Sequence, residues 1–227
     1  SDLHSVGIGE QGRELYCIKK DGSNKKRITN NNYFEFHADV SPVRQEIVTV
    51  TLFEEGSDKN GELDTNSELI IWDFNGNIVK RLTNNNRPES VPHWSPDGEK
   101  VTFFAGNTIG KLNIYTINRG GTNEQKLTSG GVDVDPSFSP DGEIIFSRGK
   151  KIMIMNEDGS NLKTLAELEI DPEDPIFIDP NTIAFETKIS NVGNYGLGDY
   201  DIYLINKDGT NLRDISQNNF VYALPQP

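Results

Sequence analysis

One short phrase recurs five times along this chain: a strand, a turn built on Asp/Asn-Gly, and a second strand ending in Leu/Ile-Thr or a relative. The copies begin at Glu14 (ELYCIKKDGSNKKRIT), Glu68 (ELIIWDFNGNIVKRLT), Lys111 (KLNIYTINRGGTNEQKLT), Lys151 (KIMIMNEDGSNLKTLA) and Asp201 (DIYLINKDGTNLRDIS), so they recur every 40 to 54 residues. A period of that length made only of strands specifies a radial array of sheets. One such sheet cannot bury its own faces and must stack on its neighbours. The expected fold is an all-β propeller of four-stranded antiparallel blades.

The unit is larger than the phrase. A second hairpin precedes it, best preserved as VPHWSPDGEKVTFFA from Val91 and DPSFSPDGEIIFS from Asp135. In its Ser-Pro-Asp-Gly turn, Pro96 and Pro140 preset φ, Asp97 and Asp141 follow, and Gly98 and Gly142 supply the left-handed residue. Ser41-Pro42-Val43-Arg44 and Asp179-Pro180-Asn181 are degraded copies. The third strand of each unit, such as Ile152-Met153-Ile154-Met155, is apolar on both faces, which suits a sheet packed on two sides. The fourth carries Lys and Arg (Lys80, Arg81, Lys163, Arg213), which suits an outer edge that must not recruit another chain. The acidic turns, such as Asn156 to Asn161, resemble calcium loops, but their recurrence marks them as structural turns.

Blades are expected at about 37–83, 90–128, 134–165 and 173–216. The N-terminus supplies a second, third and fourth strand within residues 3–29. Phe220 to Pro225 supplies a candidate first strand, because Leu224-Pro225 aligns with Val91-Pro92 and Asp135-Pro136. A blade shared by the two chain ends would close a five-bladed ring in one domain and remove its open edges. A six-bladed ring with missing sequence is the alternative.

Hydrophobic residues make up 34% of the chain, and its net charge is −13. That charge disfavours nucleic acid, whose phosphates need clustered Lys and Arg, and anionic membrane surfaces as well. No apolar run approaches the roughly 20 residues of a membrane span, so no insertion is expected. A basic partner or a cation is compatible with the charge. Cys17, the single cysteine, excludes an intramolecular disulfide and a thiolate zinc site and reads as a core filler.

Pro92-His93-Trp94-Ser95-Pro96-Asp97-Gly98, Pro136 to Gly142, Ile202-Tyr203 with Asp208-Gly209, and the Leu82-Thr83 and Leu127-Thr128 endings together resemble the TolB-type propeller repeat, a relative of the WD repeat. The resemblance covers nearly the whole chain. It implies protein-binding or scaffold roles, often in the periplasm or outside the cell. Some relatives are glycan-processing enzymes or propellers attached to serine peptidases. The six blades and extra N-terminal domain of TolB itself are not expected to fit together in a chain of this length.

Two long connections, Glu54 to Ser67 and about Lys188 to Tyr200, occupy equivalent positions between the second and third strands of their blades and emerge on one face. Long loops on a uniform scaffold are where recognition concentrates. Tyr195 and Tyr200 offer contact surface there. In the first loop Asp58, Asn60, Glu62, Asp64 and Asn66 place an oxygen ligand at every second position, a candidate calcium site, although Gly61 is out of EF-hand register. His37, Asp135 and Asp174 fall in one aligned column just before the repeated Pro, with Val91 and Leu224 in the other blades. Asp39, His93, Asp133 and Asp171 lie nearby. This column is expected at the mouth of the axial channel, where it could meet a cation or a partner's basic side chain.

The chain has no His-Glu-x-x-His motif, no Gly-x-Ser-x-Gly elbow and no phosphate loop. The expected function is therefore a non-enzymatic, monomeric binding module that presents an acidic, loop-rich face to a protein or peptide. The alternative is a glycan-processing hydrolase or lyase using channel-mouth carboxylates. A third reading is a propeller belonging to a larger protein whose activity lies elsewhere.

Overall fold

The computed structural model describes residues 3–7, 14–52, 67–108, 110–190 and 199–216. No helix occurs among them, and the strands form five consecutive antiparallel sheets. The first has three strands, β1 (Leu3–Gly7), β2 (Tyr16–Lys19) and β3 (Lys26–Arg27). The second comprises β4 (Phe34–Val40), β5 (Glu46–Leu52), β6 (Ser67–Asp73) and β7 (Ile78–Arg81). The third comprises β8 (Glu89–Trp94), β9 (Lys100–Thr108), β10 (Lys111–Asn118) and β11 (Gln125–Lys126). The fourth comprises β12 (Val134–Phe138), β13 (Ile144–Arg148), β14 (Lys151–Met155) and β15 (Lys163–Glu167). The fifth comprises β16 (Glu173–Asp179), β17 (Thr182–Ser190), β18 (Asp199–Asn206) and β19 (Arg213–Asp214). Four complete blades and a three-stranded sheet are thus present. The expected closing strand, 220–225, lies outside the described residues.

The core is divided into layers between successive sheets, as radial stacking requires. Leu15, Cys17 and Ile28 pack on Ile47, Ile70 and Trp72 between the first and second sheets. Val48 and Ile71 meet Val101, Phe103 and Ile117 between the second and third. Ile114 meets Ile144, Phe146 and Met155, and Ile145 and Ile152 meet Ile183, Phe185 and Ile205. The third strands β6 and β14 are buried almost throughout, whereas β7 is exposed at all four residues. Trp72 satisfies its buried indole by donating from Nε1 to Thr49 Oγ1 at 2.9 Å.

The turns carry the chemistry read from the sequence. Asp21, Asp73, Asp158 and Asp208 accept bonds from backbone N–H groups two residues on; the turn glycines Gly22, Gly159 and Gly209 directly after three of them, and Gly76 three residues after Asp73, take φ between +82° and +84°. The Asn two residues beyond Gly22, Gly159 and Gly209 (Asn24, Asn161, Asn211), and Asn123 beyond Gly121, are also left-handed, at +54° to +58°. Asn181, in the degraded Pro turn, is not among the left-handed residues; its N–H donates to Asp179 Oδ1 instead. Several turn glycines also make the joint between blades. A Cβ at Gly76 would lie 2.2 Å from the Ile28 carbonyl oxygen, and one at Gly209 2.6 Å from that of Leu165. Gly22 has the same φ but nothing within 4 Å of its Cβ position. On the fifth sheet Ile215 is 47% exposed, whereas Ile28 and Leu82, in the same place on their own fourth strands, are each 6% exposed. No neighbouring blade covers that face among the described residues.

Candidate functional site at the axial mouth

The innermost strands β4, β8, β12 and β16 touch one another in sequence around the axis. Each is interrupted at the same point. Register shifts lie between Phe36 and Asp39, Ser90 and His93, Val134 and Ser137, and Glu173 and Ile176. The bulged residues are His37, Val91, Asp135 and Asp174, with φ of +48°, +48°, +54° and +48°. His and Asp tolerate this region better than most residues, but a β-branched Val does not, so the backbone enforces the geometry at Val91. The second sheet accordingly begins at Phe34, ahead of the expected 37, because its inner strand runs through the bulge rather than starting there. The column aligned in the sequence is a set of equivalent β-bulges. Bulges re-aim side chains and are over-represented beside functional sites.

Polar groups of this column stitch neighbouring inner strands together. His37 Nδ1 lies 3.1 Å from Ser90 Oγ. Asp39 Oδ2 accepts from Trp94 N at 2.8 Å and lies 3.5 Å from His93 Nδ1. Asp174 N donates to Asp135 Oδ2 at 3.4 Å, and Ser137 Oγ donates to the Pro175 carbonyl at 2.6 Å. Burial, reinforced by the Asp174 charge, pushes the Asp135 carboxyl up to about 6. Glu186 is also raised, by burial and then by Asp174 and Glu173. Tyr200, exposed on β18, is raised by Glu173 first. Asp135, Glu173, Asp174, Glu186 and Tyr200 are therefore electrostatic neighbours. Beside this mouth an apolar pocket of about 170 Å³ opens between Phe36, Leu52, Phe104 and Leu112.

Asp133 does not join the ring. It is fully buried and accepts from Arg148 Nε and Nη2 at 2.5 and 2.8 Å, so its charge is spent within its own sheet. Tyr195, Asp58, Asn60, Glu62, Asp64 and Asn66 lie outside the described residues. No group of three or more His, Cys, Asp or Glu that could hold a metal occurs among the described residues.

Sequence reasoning overlooked a buried lock on the same side of the sheets. Thr29 Oγ1 accepts from Leu15 N (2.8 Å) and donates to Glu35 Oε2 (3.2 Å), while Asn31 Nδ2 donates to Glu35 Oε1. Thr83, Leu69, Glu89 and Asn85 repeat the pattern. Glu14 Oε1 accepts from Arg27 Nη2 and Asn31 N, as Glu68 Oε1 does from Arg81 Nη2 and Asn85 N. The Thr that ends one blade thus bonds its own third strand and the first strand of the next. Burial raises Glu35 to about 7, with Asn31 opposing and Glu14 adding to the rise. Burial likewise raises Glu89 to about 7, with Asn85 and Arg87 opposing. The identical spacing of Glu14, Thr29, Asn31, Glu35 and of Glu68, Thr83, Asn85, Glu89 is the signal that could have revealed the lock.

A family model described as the TolB beta propeller domain matches residues 6–166. The chain belongs to this family. A stretch of 77 residues is 34% identical to the Tol-Pal system protein TolB of Alcanivorax borkumensis, covering 34% of this chain and 18% of that protein. The chain spans a quarter or less of the length of the curated relatives it matches. The structure of a putative TolB from Agrobacterium tumefaciens is similar at a TM-score of 0.71 and 20% identity, covering 93% of this chain and 79% of that one. An oligogalacturonate lyase in complex with manganese is similar at a TM-score of 0.61 and 12% identity, covering 89% and 58%. At such identities these two share the fold. The TolB repeat explains the turns and the Leu-Thr blade endings of this chain.

Proposed function

We propose that this TolB-family propeller is a binding module that receives a protein or peptide at its axial mouth. The observation that carries the reading is the row of left-handed bulges at His37, Val91, Asp135 and Asp174, which groups polar side chains beside an apolar pocket. An acidic rim with an adjoining apolar pocket suits a segment carrying a basic and an apolar side chain, and the loops 54–67 and 188–200 would extend that surface. Relatives named as Tol-Pal system proteins support a protein partner, and with it a periplasmic location. The module acts as a monomer and without a metal. The test is affinity capture by immobilised protein beside an Asp135→Asn/Asp174→Asn variant, with and without calcium. Capture of one protein, lost in the variant and indifferent to calcium, is expected. Equal capture by both forms would refute the reading.

The same double variant bears on a second reading, a glycan-processing enzyme. The elevated Asp135 carboxyl favours it, since a general acid must hold its proton near neutral pH. Turnover of a polysaccharide panel that the double variant loses would establish it in place of the binding module.

We further propose that the ring is a single domain closed as five blades, with 220–225 as the inner strand beside β1. The uncovered face around Ile215 would then pack on the Gly22 turn, as Ile28 packs on Gly76. A Gly22→Cys/Ile215→Cys pair in a Cys17→Ser background should oxidise to an internal disulfide. A six-bladed ring would keep the two thiols apart.

A further inference from the structure

The lock is missing from the third sheet, and a cleft stands in its place. Thr128 Oγ1 still accepts from Ile114 N at 3.0 Å, so the register of the lock is preserved. Counted from that Thr, Asn113 holds the position of Glu14 and Glu68, Lys126 that of Arg27 and Arg81, and Gly130 that of Asn31 and Asn85. Val134 holds the position of Glu35 and Glu89, so the chain has removed two carboxylates and one amide side chain and kept the cation. What remains is a cleft of about 590 Å³ lined by Arg87, Lys111, Asn113, Lys126 and the bare backbone of Gly110 and Gly130. A Cβ at either glycine would meet nothing within 4 Å.

Within a chain of net charge −13, this cleft gathers three cations. Lys111 and Lys126 have no ion-pair partner among the described residues. Arg87 is held through Nη2 by Glu124 (2.8 Å) and Glu89 (3.3 Å) and lies over the Tyr115 ring at 4.3 Å, while its Nε has no partner. Asn113 is 6% exposed, and its buried Oδ1 also lacks a hydrogen-bond partner. An unpaired acceptor at that depth is unfavourable unless a ligand supplies a donor.

We infer that this cleft binds an acidic segment of a peptide, whose side-chain carboxylate takes the place that Glu14 and Glu68 occupy in the first two sheets. Lys126 is its counter-ion, and Asn113 Oδ1 accepts a backbone N–H of the same segment. A phosphomonoester dianion offers acceptors only and would leave Asn113 unsatisfied, whereas a peptide carries both groups. The glycine walls let its backbone approach closely. The site is separate from the axial mouth and stands whether or not the mouth binds a partner.

The test is a two-dimensional NMR titration of the ¹⁵N-labelled chain with N-acetyl-glutamate N-methylamide, its glutamine counterpart and glutarate. Saturable shifts of the Gly110, Asn113, Gly130 and Gly131 amides are expected with the glutamate probe in the low-millimolar range, roughly 1–10 mM for so few contacts. The glutamine probe should produce none. Lys126→Ala, at an exposed position, should weaken binding about fivefold, as loss of an ion pair worth about 1 kcal/mol requires. Asn113→Glu supplies the carboxylate from the chain itself and should abolish the shifts. The absence of saturation at these amides, or equal shifts in Lys126→Ala, would overturn the site. Glutarate binding as tightly as the blocked glutamate would overturn the role of Asn113, because glutarate has no N–H.

Discussion

Replacing Thr83 by Val tests whether the blade-ending Thr is a joint or a filler. The substitution keeps shape and removes the hydroxyl. Thr83 is buried, accepts from Leu69 N at 2.8 Å and donates to Glu89 Oε2 at 3.2 Å. Its loss strands a buried N–H at about 1–3 kcal/mol and deprives a buried carboxyl of one donor, about 1 kcal/mol more. A total of about 2–4 kcal/mol is expected. With a urea dependence of about 2–3 kcal/mol per molar, the unfolding midpoint should fall by about 1 M. Thr29→Val should match it, since Thr29 has the same two partners. Thr128→Val is the internal control: Thr128 accepts from Ile114 N, but Val134 stands where Glu89 stands in the lock, so only the first cost applies. Urea unfolding followed by tryptophan fluorescence gives the order directly. If Thr128→Val costs as much as Thr83→Val, the coupling to the next blade through Glu89 is not a stabilising joint.

The remaining predictions concern charge and backbone. Glu35 and Glu89 titrate at about 7 in the folded chain against an ordinary 4.5, so between those values the folded state keeps protons that the unfolded state has released. Their contribution to stability is therefore complete below pH 4.5, falls as pH rises, and is lost above about 7, by at most roughly 3 kcal/mol per carboxyl. Glu35→Gln/Glu89→Gln should flatten that decline in thermal melts taken from pH 4.5 to 8, and an unchanged slope would show that other groups drive it. Gly76→Ala and Gly22→Ala impose the same left-handed strain, but only the first drives a Cβ into the Ile28 carbonyl. Gly22→Ala should cost about 1 kcal/mol and Gly76→Ala clearly more, and equal losses in urea unfolding would deny the close approach of the blades. Asp39→Ala leaves Trp94 N without its acceptor between two inner strands and should destabilise by about 1–3 kcal/mol. Asp39→Asn, which keeps an acceptor oxygen, should recover most of that loss in the same assay.

The strands, turns and blade repeat were legible in the sequence because they are local. Pro and Gly at fixed offsets, an apolar third strand and a Leu-Thr ending each act within a few residues, and their recurrence dictates stacked sheets whichever blade is read. Cys17 could be assigned to the core for the same reason: it stands in a repeated strand where other copies carry Ile71, Ile154 and Leu204. The alignment of His37, Asp135 and Asp174 was legible too, but not its cause, since a left-handed bulge is set by how the inner strand pairs with the second strand of its blade. Only the folded chain decided that Asp133 belongs to Arg148 rather than to the mouth. It also decided that Glu35 and Glu89 are buried far enough to hold protons near neutrality, and that Asn113, Lys126 and Gly130 leave a cleft where the first two sheets carry a lock. These depend on side chains from separate strands meeting at low dielectric, and spacing along the chain does not determine such a meeting.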